Sequence, residues 1–143
     1  MCINARSRLS PAAQTMPLKK VSTLRQKQKY ERIGRHAETV AALYLRLRGY
    51  RILARRYKTK AGEIDIIARK AKLIVIVEVK QRLTLEAAHE SISAQSTRRI
   101  ADAAEHFISR HRRYQSYGLR FDALFFIGAK PRLRRAVHIQ DAF

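Results

Sequence analysis

The chain has 143 residues, 46% of them hydrophobic, and sets 31 Lys and Arg against 11 Asp and Glu, for a formal charge of +20. That is about one domain's worth of sequence with apolar content for a core, while the single Cys2 excludes a disulfide framework or a cysteine-rich zinc site. No apolar run approaches the roughly 20 residues that span a bilayer, and so large a positive charge points to a polyanionic partner, nucleic acid before a membrane surface.

Residues 1–29 contain no acid and are rich in Ser, Arg, Lys and Gln, with Pro11 and Pro17. They lack the apolar core of a secretory signal. The composition predicts a disordered basic arm that tracks phosphates, ahead of one domain over 30–143. A gene start placed too far upstream, with Met16 as initiator, is a second account. A reducing cytoplasm is the expected compartment.

From Glu31, apolar residues recur at helical spacing (Ile33, Ala37, Val40, Ala41, Tyr44, Leu47), and Gly49 is suited to stop the helix. Glu38 falls on the flank of that stripe, in line with Ala41, Ala42 and Leu45. Next, "YRILARRYK" (50–58) reads as a short, strongly basic strand. Residues 63–68 and 73–80 read as two further strands joined by the tight turn "RKAK" (69–72). "LIVIVEV" is apolar on both faces, which marks a strand in the middle of a sheet.

A polar linker follows Arg82. A second amphipathic helix carries Ile100, Ala103, Ala104, Phe107 and Ile108, with Arg98 and Arg99 near its start. "RRYQSYG" (112–118) reads as a loop, "LRFDALFFIG" (119–128) as a buried strand, "KPRLRR" (130–135) as a basic turn and "AVHIQ" (136–140) as an edge strand. The order is α-β-β-β-α-β with a final β, an α/β sandwich in which a mixed sheet is flanked by helices.

Three of the scarce acids, Glu63, Asp65 and Glu78, lie within "GEIDIIARKAKLIVIVEVK" (62–80), among Ile and Val. An uncompensated carboxylate there costs several kcal/mol. Side chains alternate along a strand, so Glu78 and Lys80 share a face, and the short turn lays Asp65 alongside them. Glu38 is able to approach from the first helix. A divalent cation such as Mg²⁺ takes one or two carboxylates plus water and phosphate oxygens, and a nearby lysine can stabilise charge developing on a phosphodiester. A plain salt bridge of Lys80 with Glu78 or Asp65 accounts for the same residues, and the spacing alone leaves both readings open. The five histidines (36, 89, 106, 111, 138) show no metal-ligand spacing.

The segments "AETVAALYL", "GYRIL", "GEIDIIA", "VEVKQR" and "RFD" (120–122) together resemble the YraN-like family of small bacterial proteins. More distantly they are similar to archaeal Holliday junction resolvases and the restriction-endonuclease-like superfamily. The resemblance implies a PD-(D/E)-x-K nuclease core of α-β-β-β-α-β order. By that likeness Glu38, Asp65, Glu78 and Lys80 are the catalytic set, with Asp65, Glu78 and Glu38 holding Mg²⁺ or Mn²⁺. Glu63 matches the family's "GEID" but not its usual ligands; strand parity puts it on the face of Asp65, as a supporting residue or else a solvated strand start. The implied activity is metal-dependent endonucleolytic cleavage of DNA, branched or distorted DNA included. A nucleic-acid-binding protein without catalysis is the alternative, and a homodimer is expected by analogy.

Arg55, Arg56, Lys58, Lys60, Arg82, Arg98 and Arg99 are the expected phosphate contacts. The sequence departs from the family pattern in three places. Ala37 precedes Glu38 where the family has Gly. "RKAK" offers no residue suited to φ > 0. Ser96 and Thr97 stand where a Lys-Gln pair is usual, leaving Gln95 as a partial substitute.

Overall fold

The computed structural model describes residues 34–91, 93–128 and 135–143. The basic arm over 1–29, Ile33 and most of the basic turn at 130–135 lie outside them. Within these residues, helix α1 (34–47) leads into strands β1 (Arg51–Lys58), β2 (Glu63–Lys70) and β3 (Leu73–Arg82). Helices α2 (Leu85–His89) and α3 (Ala94–Arg110), a 3₁₀ turn (Arg112–Tyr114), β4 (Gly118–Ile127) and β5 (Arg135–Ile139) follow. The sheet runs β1-β2-β3-β4-β5, antiparallel except for the parallel β3–β4 pair. This is the expected α/β order, with the short α2 added in the linker. Thr84 caps α2, its side chain accepting from the Ala87 N–H. Thr84 is followed by Glu86 in the first turn, a local signal that the polar composition of the linker masked.

α1 packs its small residues, not its large ones. Ala37, Ala41, Ala42 and Leu45 are buried, whereas Val40, Leu43 and Leu47 are exposed. The expected stripe through Val40 and Leu47 is therefore rotated, and the buried line is the one that contains Glu38. Alanines let the helix approach Ile66, Ala68, Val75 and Val77 closely, and Leu124 and Phe126 complete that layer. The helix ends in a Schellman motif. Tyr50 N–H donates to the Leu45 carbonyl and Gly49 N–H to that of Arg46, with Gly49 at φ 83°.

α3 covers the opposite face through Ile100, Ala103, Ala104 and Phe107, against Ile64, Ile67, Ile74 and Ile76. Both faces of "LIVIVEV" are thus buried, as its composition requires. α2 adds Ala88 over Ala123 and Phe125. The β2–β3 turn holds its register without glycine: Lys70 pairs with Leu73, and Ala71 adopts φ 51°. A non-glycine residue in that region costs about 1–2 kcal/mol.

β4 and β5 are joined by a buried ion-pair network. Asp122, fully buried, accepts from Arg120 Nε and Nη2 at 2.7 and 2.8 Å and lies 2.8 Å from His138 Nε2. It also accepts from the Asp141 N–H at 3.1 Å. Burial pushes the Asp122 carboxyl up, but the bonds from His138, Arg120 and the Asp141 amide outweigh it and hold the group below the usual carboxylate range. Arg120 Nη2 reaches on to the Tyr50 hydroxyl, tying the end of α1 to the sheet.

Candidate functional site

β2 and β3 part at one end, and the acids sit there. Their paired positions run from Lys70↔Leu73 to Ile66↔Val77. Just past that last pair, Asp65 Oδ2 accepts from the Val79 N–H at 2.8 Å, so a side chain takes over a strand donor. The faces of β2 also change here. Ile66 and Ala68 pack under α1, while both Ile64 and Ile67 pack under α3, so alternation slips around Asp65. The slip has a partner on β1. The pairs Arg55↔Ile66 and Tyr57↔Ile64 set Arg56 opposite Asp65, and Arg56 has φ 50°. Left-handed geometry inside a strand re-aims side chains.

On β3, Glu78 and Lys80 share the α2/α3 face and touch, Nζ to Oε1 at 3.5 Å. Lys80 Nζ also donates to the Ser91 carbonyl at 2.8 Å, which fixes its position from the loop after α2. Burial pushes the Asp65 carboxyl up to about 7, and the neighbouring Glu78 adds to this, against the Val79 hydrogen bond. Glu78 is also pushed up by burial, with Lys80 opposing. Two carboxylates under mutual repulsion in a poorly solvated setting favour a cation between them.

Glu38 reaches the cluster from the α1 face. Its Oε2 is buried with no hydrogen-bond partner and lies 3.8 Å from Arg56 Nε, too long for a hydrogen bond. Its charge is felt at Asp65. Because Glu38 and Glu78 come from opposite faces, with Asp65 between, the three do not close on one point. Among the described residues no three His, Cys, Asp or Glu side chains stand where they could hold a metal ion together. Even so, the donors suit a hard divalent cation. Asp65 and Glu78 are carboxyls raised by burial on adjacent strands, and Glu38 Oε2 is a buried oxygen without a donor.

Glu78 opens onto a hollow of about 300 Å³, lined also by Gly62, Glu63, Ser93, Gln95, Ser96, Arg99 and Ile100. Gln95 and Arg99 therefore face the same space as Glu78. Arg99 Nε donates to the Ala61 carbonyl at 3.1 Å, and a Cβ on Gly62 would lie 2.8 Å from the Arg99 carbonyl oxygen. The glycine of "GEID" is thus the point where the β1–β2 loop meets the first turns of α3. Ser93, which caps α3, and Ser91 were not singled out from sequence; a Ser three residues ahead of Ser96 was the available signal for the cap.

The other cations scatter. Arg56 and Lys58 pair with Glu63 at 3.2 and 3.4 Å, turned toward carboxylates. Arg55 donates to Thr39 Oγ1. Arg82 donates to the Gln81 carbonyl, and its positive charge draws the Glu78 carboxyl down against burial. Arg98 is exposed. Lys60 lines a second hollow of about 470 Å³ with Asp102, His106 and Arg110.

Such a molecule is of the class of mixed-sheet α/β proteins with half-buried carboxylates and a lysine where two central strands diverge. The comparison with known proteins places it further: the chain belongs to the YraN-like family, described as "Uncharacterised protein family UPF0102", which matches residues 37–126. Relatives include the UPF0102 proteins of Mesorhizobium japonicum (46% identical, covering 82% of this chain and 90% of the relative) and Agrobacterium fabrum (48%, 82% and 93%). That of Parvibaculum lavamentivorans is 43% identical over 78% of this chain and 81% of its own. The matched span holds Glu38, Asp65, Glu78 and Lys80. No helix among the described residues is long and apolar enough to cross a membrane.

Proposed function

We propose that this protein is a Mg²⁺- or Mn²⁺-dependent endonuclease that hydrolyses phosphodiester bonds of DNA, acting on branched or otherwise distorted structures. The observation that carries the reading is the Asp65–Glu78 pair, both carboxyls pushed up by burial, beside a lysine anchored at 2.8 Å to Ser91. A purely structural salt bridge would pair one acid with one base; here Lys80 serves Glu78, while Asp65 is left with a backbone amide. Asp65 and Glu78, with Glu38 behind them, would hold the ion. When bound it lowers the pKa of a coordinated water and balances charge at phosphorus.

The chain's own residues supply the rest. Lys80 is held to stabilise negative charge on the phosphoryl oxygens. Gln95 and Arg99 line the hollow in front of Glu78 and are suited to a phosphate backbone. The scattered arginines carry no base-reading geometry, which favours recognition of shape and charge over sequence. The test is incubation with duplex, single-stranded, flap and four-way-junction DNA in Mg²⁺, Mn²⁺ or EDTA. Metal-dependent cleavage of junction or flap substrates is expected.

The second reading is a nucleic-acid-binding protein that does not cut by itself. It is favoured by the failure of Glu38, Asp65 and Glu78 to converge on one point. Binding that weakens steeply with salt, without cleavage under any metal, would decide for it.

A further inference from the structure

We propose that Arg56 is a resident counter-ion of the carboxylate cluster, which stands in for a divalent cation beside Glu38 and, once displaced by it, engages the phosphate backbone. This rests on reading the cluster as a metal site. Arg56 lies across the β1–β2 pairing from Asp65, in a left-handed conformation (φ 50°) unusual for a bulky residue. Strain of this kind persists where surrounding contacts demand it. The contacts are its ion pairs: Arg56 Nε donates to Glu63 Oε1 at 3.2 Å and approaches Glu38 Oε2 at 3.8 Å.

The guanidinium compensates Glu38 only in part. Glu38 Oε2 is buried without a hydrogen bond, and a single delocalised charge at 3.8 Å leaves that oxygen unligated. A divalent ion offers twice the charge and direct ligation, so it and Arg56 compete for the same oxygen. Arg56 can swing off Glu38 without losing its anchor, because its side chain is 40% exposed and its hydrogen bond is to Glu63, not to Glu38. Arginine cannot lose its proton, so the exchange takes place by displacement. Nε keeps its bond to Glu63 Oε1, and the Nη groups turned away from Glu38 then suit contact with phosphate. Metal and nucleic acid thereby help each other to bind, since arrival of the first frees a contact for the second.

The experiment titrates Mn²⁺ alone into the full chain, followed by electron paramagnetic resonance, for the wild type, Arg56→Gln, Arg56→Lys and Glu38→Gln. Arg56→Gln is expected to bind Mn²⁺ roughly three- to tenfold more tightly, Arg56→Lys close to wild type, and Glu38→Gln more weakly. In a Lys80→Ala background, Mn²⁺ should tighten binding of a fluorescent four-way junction when Arg56 is present and do so less in Arg56→Gln. Should Arg56→Gln melt early, Arg56→Gly, which suits φ 50°, takes its place with the same expected shift. Equal or weaker Mn²⁺ binding by Arg56→Gln and Arg56→Gly, with Glu38→Gln still impaired, overturns the counter-ion role and leaves the metal site standing. No Mn²⁺ binding by any protein overturns both.

Discussion

Asp65 Oδ2 accepts a 2.8 Å hydrogen bond from the Val79 N–H, just beyond the last paired positions of β2 and β3. The bond joins the carboxylate to the strand that carries Glu78 and Lys80, and it marks where the two strands part. Asp65 is nonetheless poorly off, since burial and Glu78 together push it up to about 7.

The first consequence is a pH dependence of stability. Below about pH 4 the Asp65 proton is retained both folded and unfolded. Between there and about 7 the unfolded chain releases it while the folded protein keeps it, so the stability contributed by Asp65 falls as pH rises through that window. Asp65→Asn should therefore raise stability at pH 7.5 by about 1–3 kcal/mol in EDTA, and by less at pH 4.5. Urea denaturation at the two pH values checks this; an equal or negative change at both would contradict the strained-acid account.

Asp122 behaves in the opposite sense. Held below the usual carboxylate range, it contributes stability that is present above its unfolded pKa and is lost as pH falls through the folded value. Asp122→Asn leaves Arg120 without its carboxylate and should cost about 3–5 kcal/mol, whereas nucleic-acid binding by the protein that remains folded should be unchanged. Thermal melting together with a binding titration distinguishes this structural role from a catalytic one.

Gly62→Ala tests the seam between the β1–β2 loop and α3. A Cβ 2.8 Å from the Arg99 carbonyl forces backbone apart, at about 1–3 kcal/mol. Because Arg99 lines the hollow in front of Glu78, affinity for nucleic acid should fall as well. An alanine variant with native melting and native binding would show that the seam gives way freely.

Ala71→Gly acts on the β2–β3 turn. Relief at φ 51° should exceed the added entropy of the unfolded chain and stabilise by about 0.5–1 kcal/mol. Equilibrium denaturation reads this directly, and a loss of stability would mean that the turn relaxes when Ala71 is replaced.

These cases show what was legible in the sequence. The order of elements followed from periodicity, and "LIVIVEV" announced a strand covered on both faces. Strand parity placed Glu78 beside Lys80, and their 3.5 Å contact agrees. What periodicity could not supply were local backbone reversals. The slip around Asp65 depends on Arg56 at φ 50°, a conformation no arginine advertises. The register of the glycine-free turn likewise rests on Ala71. For α1, the larger residues Val40 and Leu47 drew the eye, but close packing on the sheet selected the alanine line, which brought Glu38 inward. Arg56 and Lys58 read as phosphate ligands by charge alone, and only geometry revealed Glu63 as their partner.

The central claim is that Asp65, Glu78 and Lys80 cut a phosphodiester with a divalent ion. Its most direct test is cleavage of a four-way-junction DNA by the wild type, Asp65→Ala and Lys80→Ala, each in Mg²⁺, Mn²⁺ and EDTA. The account predicts metal-dependent cleavage by the wild type and at least about a hundredfold loss in either variant. Cleavage that survives either substitution, or persists in EDTA, would contradict it.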